Sequence, residues 1–191
     1  MMNISNPEGE PFIGGSQEWY ADRWQKLSGC GPTAASNLIW YITRQGGCFD
    51  QYSKLQHEMF SFVTPTARGV NTSSIFTEGV KQYGTEHGLA ITTHVLEIPA
   101  KPCKRPKAGE VRDFFITALE HDSPVAFLNL SNGTLANLED WHWVTVISLE
   151  ADTLAAEISD QGKVLEISLS EWLETSLLGG ALVWVGADSS K

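Results

Sequence analysis

The chain has 191 residues and a formal net charge of −10, from 13 basic and 23 acidic side chains. Apolar residues make up 42% of it and charged residues 19%, which excludes a disordered chain and supplies one sizeable core rather than two ordinary domains. With no basic run beyond residues 101–107, the negative charge argues against nucleic acid or an anionic membrane surface as a partner. We therefore expect a single domain over residues 1–191, with a neutral or basic partner.

The N-terminus and the cysteines indicate the compartment. Residues 1–8 have neither the basic nor the apolar region of a signal peptide, and no apolar run approaches the roughly 20 residues of a membrane-spanning helix. These features predict a cytoplasmic protein.

Cys30, Cys48 and Cys103 form no CxxC pair, which argues against a disulfide framework and a cysteine-only zinc site. A Cys48–Cys103 bridge is left open for the case of an exported protein.

The first half of the chain is predicted to be mainly helical. Residues 1–27 lack clean periodicity and predict an extended arm that ends in a turn at Ser28-Gly29. Apolar residues with i, i+3, i+4 and i+7 spacing then predict a nearly all-apolar, buried first helix from Pro32 to Arg44. Two further helices are predicted over about 50–63 and 72–87.

The second half is predicted to form a sheet. A first strand over 89–98 is followed by a Lys/Pro-rich loop and a fourth helix over 110–120. After Pro124 the hydrophobic period changes to that of strands, which are predicted over 125–130, 142–149, 154–159, 164–169 and 181–186. A short helix over 170–177 precedes the last strand. Helices followed by a mostly antiparallel sheet indicate an α+β fold, with a cleft where the two halves meet.

Cys30 is a candidate nucleophile because of its neighbours. It lies between Gly29 and Gly31, directly before Pro32, at the start of the predicted buried helix. The N-terminus of a helix has unpaired N–H groups and partial positive charge, which favour a thiolate. Pro32 suits the first helical turn, and the glycines let backbone or substrate approach the sulfur. The alternative is a structural cysteine beside a tight turn.

Nucleophilic thiol chemistry needs a base, and His142 is the best candidate among the five histidines. It opens the strongly β-forming segment 141–147 at the edge of the sheet, where flanking tryptophans partly remove it from water. Simple packing beside those tryptophans is its alternative role. Three other histidines are expected on the surface: His57, His87 and His121. The fifth, His94, is expected in a strand, where it either points inward or lies at an edge.

A third group must orient the base, and Asp160 is placed to do so. It closes the strand that follows the one carrying His142, at a turn containing Gly162. A short hairpin around residues 150–152 connects the two strands and allows the two side chains to meet. The alternative is a turn residue whose carboxylate binds its own backbone.

Taken together, these segments resemble the papain-like cysteine peptidase superfamily, and within it the bacterial branch related to the double-glycine leader peptidases. The resemblance is carried by residues 29–35, 142–146 and 159–162, and it spans most of the chain. It implies a papain-like fold, in which a central buried helix of a helical half carries the cysteine at its N-terminus and packs on a mostly antiparallel sheet that carries the histidine and the aspartate. It also implies that Cys30 is the nucleophile, His142 the general base and later acid, and Asp160 the residue that holds the imidazole.

The family also uses a glutamine upstream of the cysteine, whose side chain helps the N–H of the cysteine to stabilise the tetrahedral oxyanion. Gln25 lies five residues before Cys30, one short of the spacing in many relatives. Gln17, within the segment 15–20, resembles the Gln-and-aromatic segment of the bacterial branch. We favour Gln17 for this role and keep Gln25 as the alternative; either could instead be a surface amide.

The resemblance implies a cysteine-dependent hydrolase of peptide or amide bonds that works through a thioester acyl-enzyme, needs no metal or cofactor, and acts on a peptide or protein. Transpeptidases and deamidases use the same triad, so the substrate and the choice between hydrolysis and transfer stay open, as does the oligomeric state. With no transporter segment in the sequence, we do not expect a leader peptidase fused to an exporter. Two hypotheses from other classes remain: a non-catalytic binding module of the same fold, and a zinc site built from Cys30, His142 and Asp160.

Overall fold

A six-stranded sheet forms the centre of the fold, and α-helices pack on both of its faces. The computed structural model from which this is taken describes residues 3–5, 9–43 and 48–187. Every pair of neighbouring strands in this sheet is antiparallel. The predicted α+β class with an antiparallel sheet is confirmed.

Five of the six α-helices in the described part of the chain correspond closely to the hydrophobic periodicity; the first does not. The helices are α1 (Arg23–Ser28), α2 (Cys30–Ile42), α3 (Phe49–Phe62), α4 (Ser73–Glu86), α5 (Ala108–Glu120) and α6 (Leu169–Thr175). Helix α2 begins at Cys30, two residues before the predicted start, and the predicted end at Arg44 lies outside the described residues. Across the part of the chain that the structure describes, no helix is long and apolar enough to span a membrane.

The six strands of the large sheet follow the prediction within about two residues at each end, whereas the two short strands near the N-terminus were not predicted. The strands are β1 (Asn3–Ser5), β2 (Pro11–Ile13), β3 (Ile91–Ile98), β4 (Val125–Asn129), β5 (His142–Leu149), β6 (Ala155–Asp160), β7 (Lys163–Ser168) and β8 (Gly180–Ala187). The order in the large sheet is β3-β8-β4-β5-β6-β7, and the short β1 and β2 pair with each other. This order places the predicted histidine strand β5 beside the predicted aspartate strand β6.

The two faces of the sheet bury separate apolar clusters. Because side chains alternate along a strand, Ala126 and Leu128 of β4 pack with α2, α3 and α4, whereas Val125 and Phe127 pack with α5 and α6. Strand β4 is buried along its whole length for this reason. The predicted helical half therefore corresponds to α2, α3 and α4, while α5 and α6 cover the opposite face.

The expectation of an extended arm over residues 1–27 requires correction. Helix α1 occupies Arg23–Ser28, and a 3₁₀ turn occupies Gln17–Trp19. The carboxylate of Asp22 caps α1 by accepting hydrogen bonds from the backbone N–H groups of Trp24 and Gln25, at 2.8 and 3.1 Å. A helix of six residues is too short to show a clear apolar period, which is why the pattern did not predict it.

Asn37 ties this N-terminal segment to the core. It is buried on α2, where its Oδ1 accepts hydrogen bonds from Gly15 N–H (2.9 Å) and the hydroxyl of Tyr52 (2.6 Å). Its Nδ2 donates to Thr145 Oγ1 on β5 at 3.0 Å. One amide thus connects α2, α3, β5 and the segment that leads to Gln17.

We expect Asn37→Leu, which keeps the side-chain volume, to lower the free energy of unfolding by about 2–4 kcal/mol, because buried partners lose their hydrogen bonds. Urea denaturation measures this loss. The matched control is Asn137→Leu, which removes a single bond from an exposed Asn137 to the carbonyl of Glu166 and should cost about 1 kcal/mol or less. Equal losses for the two variants would contradict the role given to Asn37.

Candidate active site

The predicted site residues Cys30, His142, Asp160 and Gln17 line one small cavity. Its volume is about 10 Å³, which is room for a single water-sized group. The remaining lining residues come from the N-terminal segment, α2, β5 and the end of β6: Gly15, Thr33, Ala34, Asn37, Trp143, Val144, Thr145, Ser159 and Gln161. The fold therefore brings together four residues that are up to 143 positions apart in the sequence.

Cys30 is the first residue of α2 and is half-buried. At this position its backbone N–H has no partner inside the helix, so it can donate to a group bound beside the sulfur. Close packing against neighbouring residues leaves no room for a side chain at either flanking glycine. A Cβ at Gly29 would lie 2.4 Å from the carbonyl oxygen of Gln25, and a Cβ at Gly31 would lie 2.7 Å from the side chain of Val70. This close packing holds the start of α2, and with it the sulfur, in a fixed position.

His142 and Asp160 meet across neighbouring strands. His142 is the first residue of β5 and 5% exposed, and Asp160 is the last residue of β6. The imidazole Nε2 lies 2.8 Å from Asp160 Oδ1, a hydrogen bond between side chains that are 6% and 14% exposed. The side chain of Cys30 lines the same cavity and interacts electrostatically with the imidazole.

The surroundings of His142 favour its charged form. Burial alone disfavours the imidazolium and would lower the pKa of His142. The hydrogen bond to Asp160 and the electrostatic interactions with Cys30 and Asp160 outweigh burial and raise the pKa of His142 from 6.5 to about 10. An imidazole held in this way can remain protonated at neutral pH between a carboxylate and a sulfur.

Gln17 begins the 3₁₀ turn and lines the cavity, and its side-chain Oε1 is buried. This Oε1 has no hydrogen-bond partner among the described residues. An amide oxygen only accepts hydrogen bonds, so any role of Gln17 toward an oxyanion falls to its Nε2–H groups. Gln25, by contrast, lies on α1 and is not one of the described residues that line the cavity.

Gln161 holds the segment that carries Gln17. Its Oε1 accepts hydrogen bonds from the hydroxyl of Ser16 (2.7 Å) and from the backbone N–H of Gln17 (3.1 Å). Gln161 directly follows Asp160, so a single turn between β6 and β7 contacts both the histidine and the glutamine segment. Its φ of 49° lies in the left-handed region, which few non-glycine residues adopt without a structural reason.

Gln56 supports the same segment from α3. Its Nε2 donates to the carbonyl of Ser16 and to the hydroxyl of Thr33, each at 2.8 Å.

The pattern of the sequence did not single out Asn37, Gln56 or Gln161. For Asn37 a signal was present: it is a polar residue two turns after Cys30 on a helix that is otherwise apolar or small.

The other histidines and cysteines lie elsewhere. His57, His87 and His121 are exposed as predicted, and His94 lies on an exposed position of β3 with its ring stacked on Trp184. The thiols of the three cysteines are free. Within residues 3–5, 9–43 and 48–187, no group of three or more His, Cys, Asp or Glu side chains is arranged to hold a metal ion. The described residues therefore contain no cluster of ligands that would form the zinc site considered from the sequence.

No protein-family model matches this sequence, and no curated protein does either. Among solved structures, the chain is similar to a double glycine motif protease from an AMS/PCAT transporter, crystallised in complex with the leader peptide. The match covers 98% of this chain and 97% of that chain, at 9% sequence identity and a TM-score of 0.45. We draw no argument from so remote a likeness, and the function is argued from the side chains of the site.

We expect His142 to carry its positive charge well into the alkaline range, because its pKa is raised to about 10. Long-range ¹H–¹⁵N NMR of the imidazole should show both nitrogens protonated at pH 8, with loss of the proton only around pH 10. Asp160→Asn removes the negative acceptor and should move that titration to lower pH. His94, whose pKa is lowered by burial and by His121, is an internal control that should be neutral at pH 8. A His142 that titrates near 6.5 in both proteins would contradict the coupling.

Proposed function

We propose that this protein is a cysteine-dependent hydrolase of peptide or amide bonds with a papain-like arrangement of Cys30, His142 and Asp160. The observation that carries the proposal is the shared cavity, which Cys30 lines at the start of α2 together with the imidazole of His142, whose Nε2 is hydrogen-bonded to Asp160 at 2.8 Å. A thiol, a base within reach of it and a group that orients the base are the three parts that nucleophilic thiol catalysis requires.

In the first half of the reaction, the Cys30 thiolate attacks the carbonyl carbon of the substrate, and the electron pair of the C=O bond moves to oxygen. The resulting oxyanion accepts hydrogen bonds from the backbone N–H of Cys30 and the side-chain amide of Gln17. As the intermediate collapses, the C–N bond breaks and Nδ1 of the His142 imidazolium gives its proton to the leaving amine. The products are a thioester on Cys30, a neutral imidazole and a free amine.

In the second half, His142 takes a proton from a water molecule that attacks the thioester carbonyl. Collapse of the second tetrahedral intermediate breaks the C–S bond and releases the carboxylic acid and the Cys30 thiolate, which restores the ion pair. Asp160 stays hydrogen-bonded to Nε2 throughout and fixes the orientation of the ring. The inner cavity of about 10 Å³ fits one oxygen atom of the size of the oxyanion or of water.

We expect a panel of peptide esters to acylate Cys30, which adds the mass of the acyl group to the intact protein. Rapid acid quench followed by mass spectrometry measures the rate of this step. Cys30→Ala should give no adduct, whereas Gln17→Ala should slow acylation by roughly 10²–10³-fold, because one oxyanion donor is lost.

Gln25→Ala is the matched control for Gln17→Ala, since the same side chain is removed from a residue that does not line the cavity. It should acylate at the wild-type rate. Equal losses in the two glutamine variants would remove the oxyanion role of Gln17, and absence of any thioester in the wild-type protein would favour a non-catalytic binding module. The fate of the thioester, with water or with an added amine, distinguishes hydrolysis from transfer.

A further inference from the structure

A second, larger cavity is also lined by Cys30. This outer groove has a volume of about 600 Å³, sixty times that of the inner cavity, and Cys30 lines both. Its walls come from helix α1, from the loop 67–69 and from the residue that precedes His142: Trp24, Leu27, Ser28, Ala67, Arg68, Gly69 and Trp141. The inner cavity accommodates one atom group at the sulfur, and the outer groove has room for amino-acid side chains.

The walls of the outer groove expose large apolar side chains to water. Trp24 is 47% exposed, Leu27 69% and Trp141 49%. Single exposed apolar residues are common, but three that share one groove form a patch of the kind that binds a partner or ligand. Two tryptophans also supply broad, rigid surfaces against which an apolar side chain can pack.

The backbone holds Trp141 in a strained conformation at this place. Its φ of 55° lies in the left-handed region, which is unusual for a bulky residue and is found most often at functional sites. The preceding loop is closed by hydrogen bonds from the Asn129 side chain to the Glu139 carbonyl and from Asn132 N–H to the Asp140 carboxylate. The loop thus fixes an exposed tryptophan directly beside the proposed base.

Arg68 is the charged residue of the groove. It sits in a tight turn closed by two backbone hydrogen bonds between Thr66 and Gly69, at 3.1 and 2.9 Å. The next residue, Val70, is anchored by a 2.6 Å hydrogen bond from Trp143 Nε1 to its carbonyl. In the described ranges no carboxylate forms an ion pair with the guanidinium of Arg68. In a chain of net charge −10, an unpaired cation is therefore held beside the nucleophile.

We propose that the outer groove selects peptides in which a bulky apolar residue stands next to an acidic one. Trp24, Leu27 and Trp141 would pack against the apolar side chain, and Arg68 would bind the carboxylate through its planar, two-pronged guanidinium. This specificity rests on the proposed function, because it places the selected residues beside Cys30 as the attacking group. It makes the groove locally attractive to acidic peptides although the whole chain is acidic.

Binding of four blocked peptides tests the proposal without turnover. The probes are acetyl-Ala-Ala-Phe-Glu-Ala-amide and its three variants with Gln for Glu, Ala for Phe, or both, and the protein is the 191-residue chain with Cys30→Ala. Fluorescence titration or calorimetry should show the Phe-Glu peptide binding about 5–10 times more tightly than Phe-Gln, as expected for one charge-assisted contact. It should also bind roughly tenfold or more tightly than Ala-Glu, as expected for burial of an aromatic side chain.

Two groove variants separate the contributions. In the same Cys30→Ala background, Arg68→Gln should abolish the preference for Glu over Gln and keep that for Phe over Ala. Trp24→Ala should do the reverse. Arg112→Gln, which changes an exposed arginine on α5 next to Asp113, is the matched control and should change neither preference. Circular dichroism confirms that each variant is folded.

The proposal is overturned if the four peptides bind equally, or if the preference for Glu persists in Arg68→Gln. Failure of the proposed function gives a different result: selective binding of the Phe-Glu peptide with no thioester formed by the corresponding peptide ester on wild-type Cys30. In that case the groove would stand as the binding site of a non-catalytic module.

Discussion

The proposed site depends on the hydrogen bond between His142 and Asp160 and on the position of Cys30 in the same cavity as the imidazole. Burial by itself would make the imidazole neutral, and a neutral imidazole could not supply the proton that an amine leaving group needs. The carboxylate and the sulfur reverse that preference and raise the pKa of His142 to about 10. This arrangement requires a helix N-terminus on one side and two adjacent antiparallel strands on the other. The order of β5 and β6 in the sheet therefore matters for the proposed function.

The N-terminal segment gives the site its fourth residue and its walls. Asn37, Gln56 and Gln161 hold residues 15–17 from α2, α3 and the turn after β6, so the position of Gln17 follows from the assembled core. Helix α1 then contributes Trp24 and Leu27 to the outer groove. Cys30 thus lines both a small cavity with room for one oxygen atom and a groove with room for side chains, an arrangement that suits the proposed attack on a carbonyl within a longer chain.

Local patterns were sufficient for the elements after residue 28 and for choosing three candidate residues that the fold brings to one cavity. Cys30 starts a helix between two glycines, His142 opens a strand, and Asp160 ends one, so each is marked by the residues beside it. The contacts of Gln161 with Ser16 and Gln17 span 144 or more residues and leave no local pattern, and the six residues of α1 are too few for a period. The left-handed backbone of Trp141 likewise depends on the loop closed by Asn129 and Asn132. Tertiary contacts of this kind are visible only in the folded structure.

The rate at which iodoacetamide alkylates each cysteine at pH 6 tests the central claim most directly, because an ordinary thiol is almost entirely protonated at that pH. If His142 and the start of α2 hold Cys30 as a thiolate, Cys30 should react roughly ten times or more faster than Cys48 and Cys103, although both of those are more exposed. His142→Gln should remove this advantage. Slow and equal alkylation of all three cysteines in the wild-type protein would contradict the activated thiol and with it the proposed function.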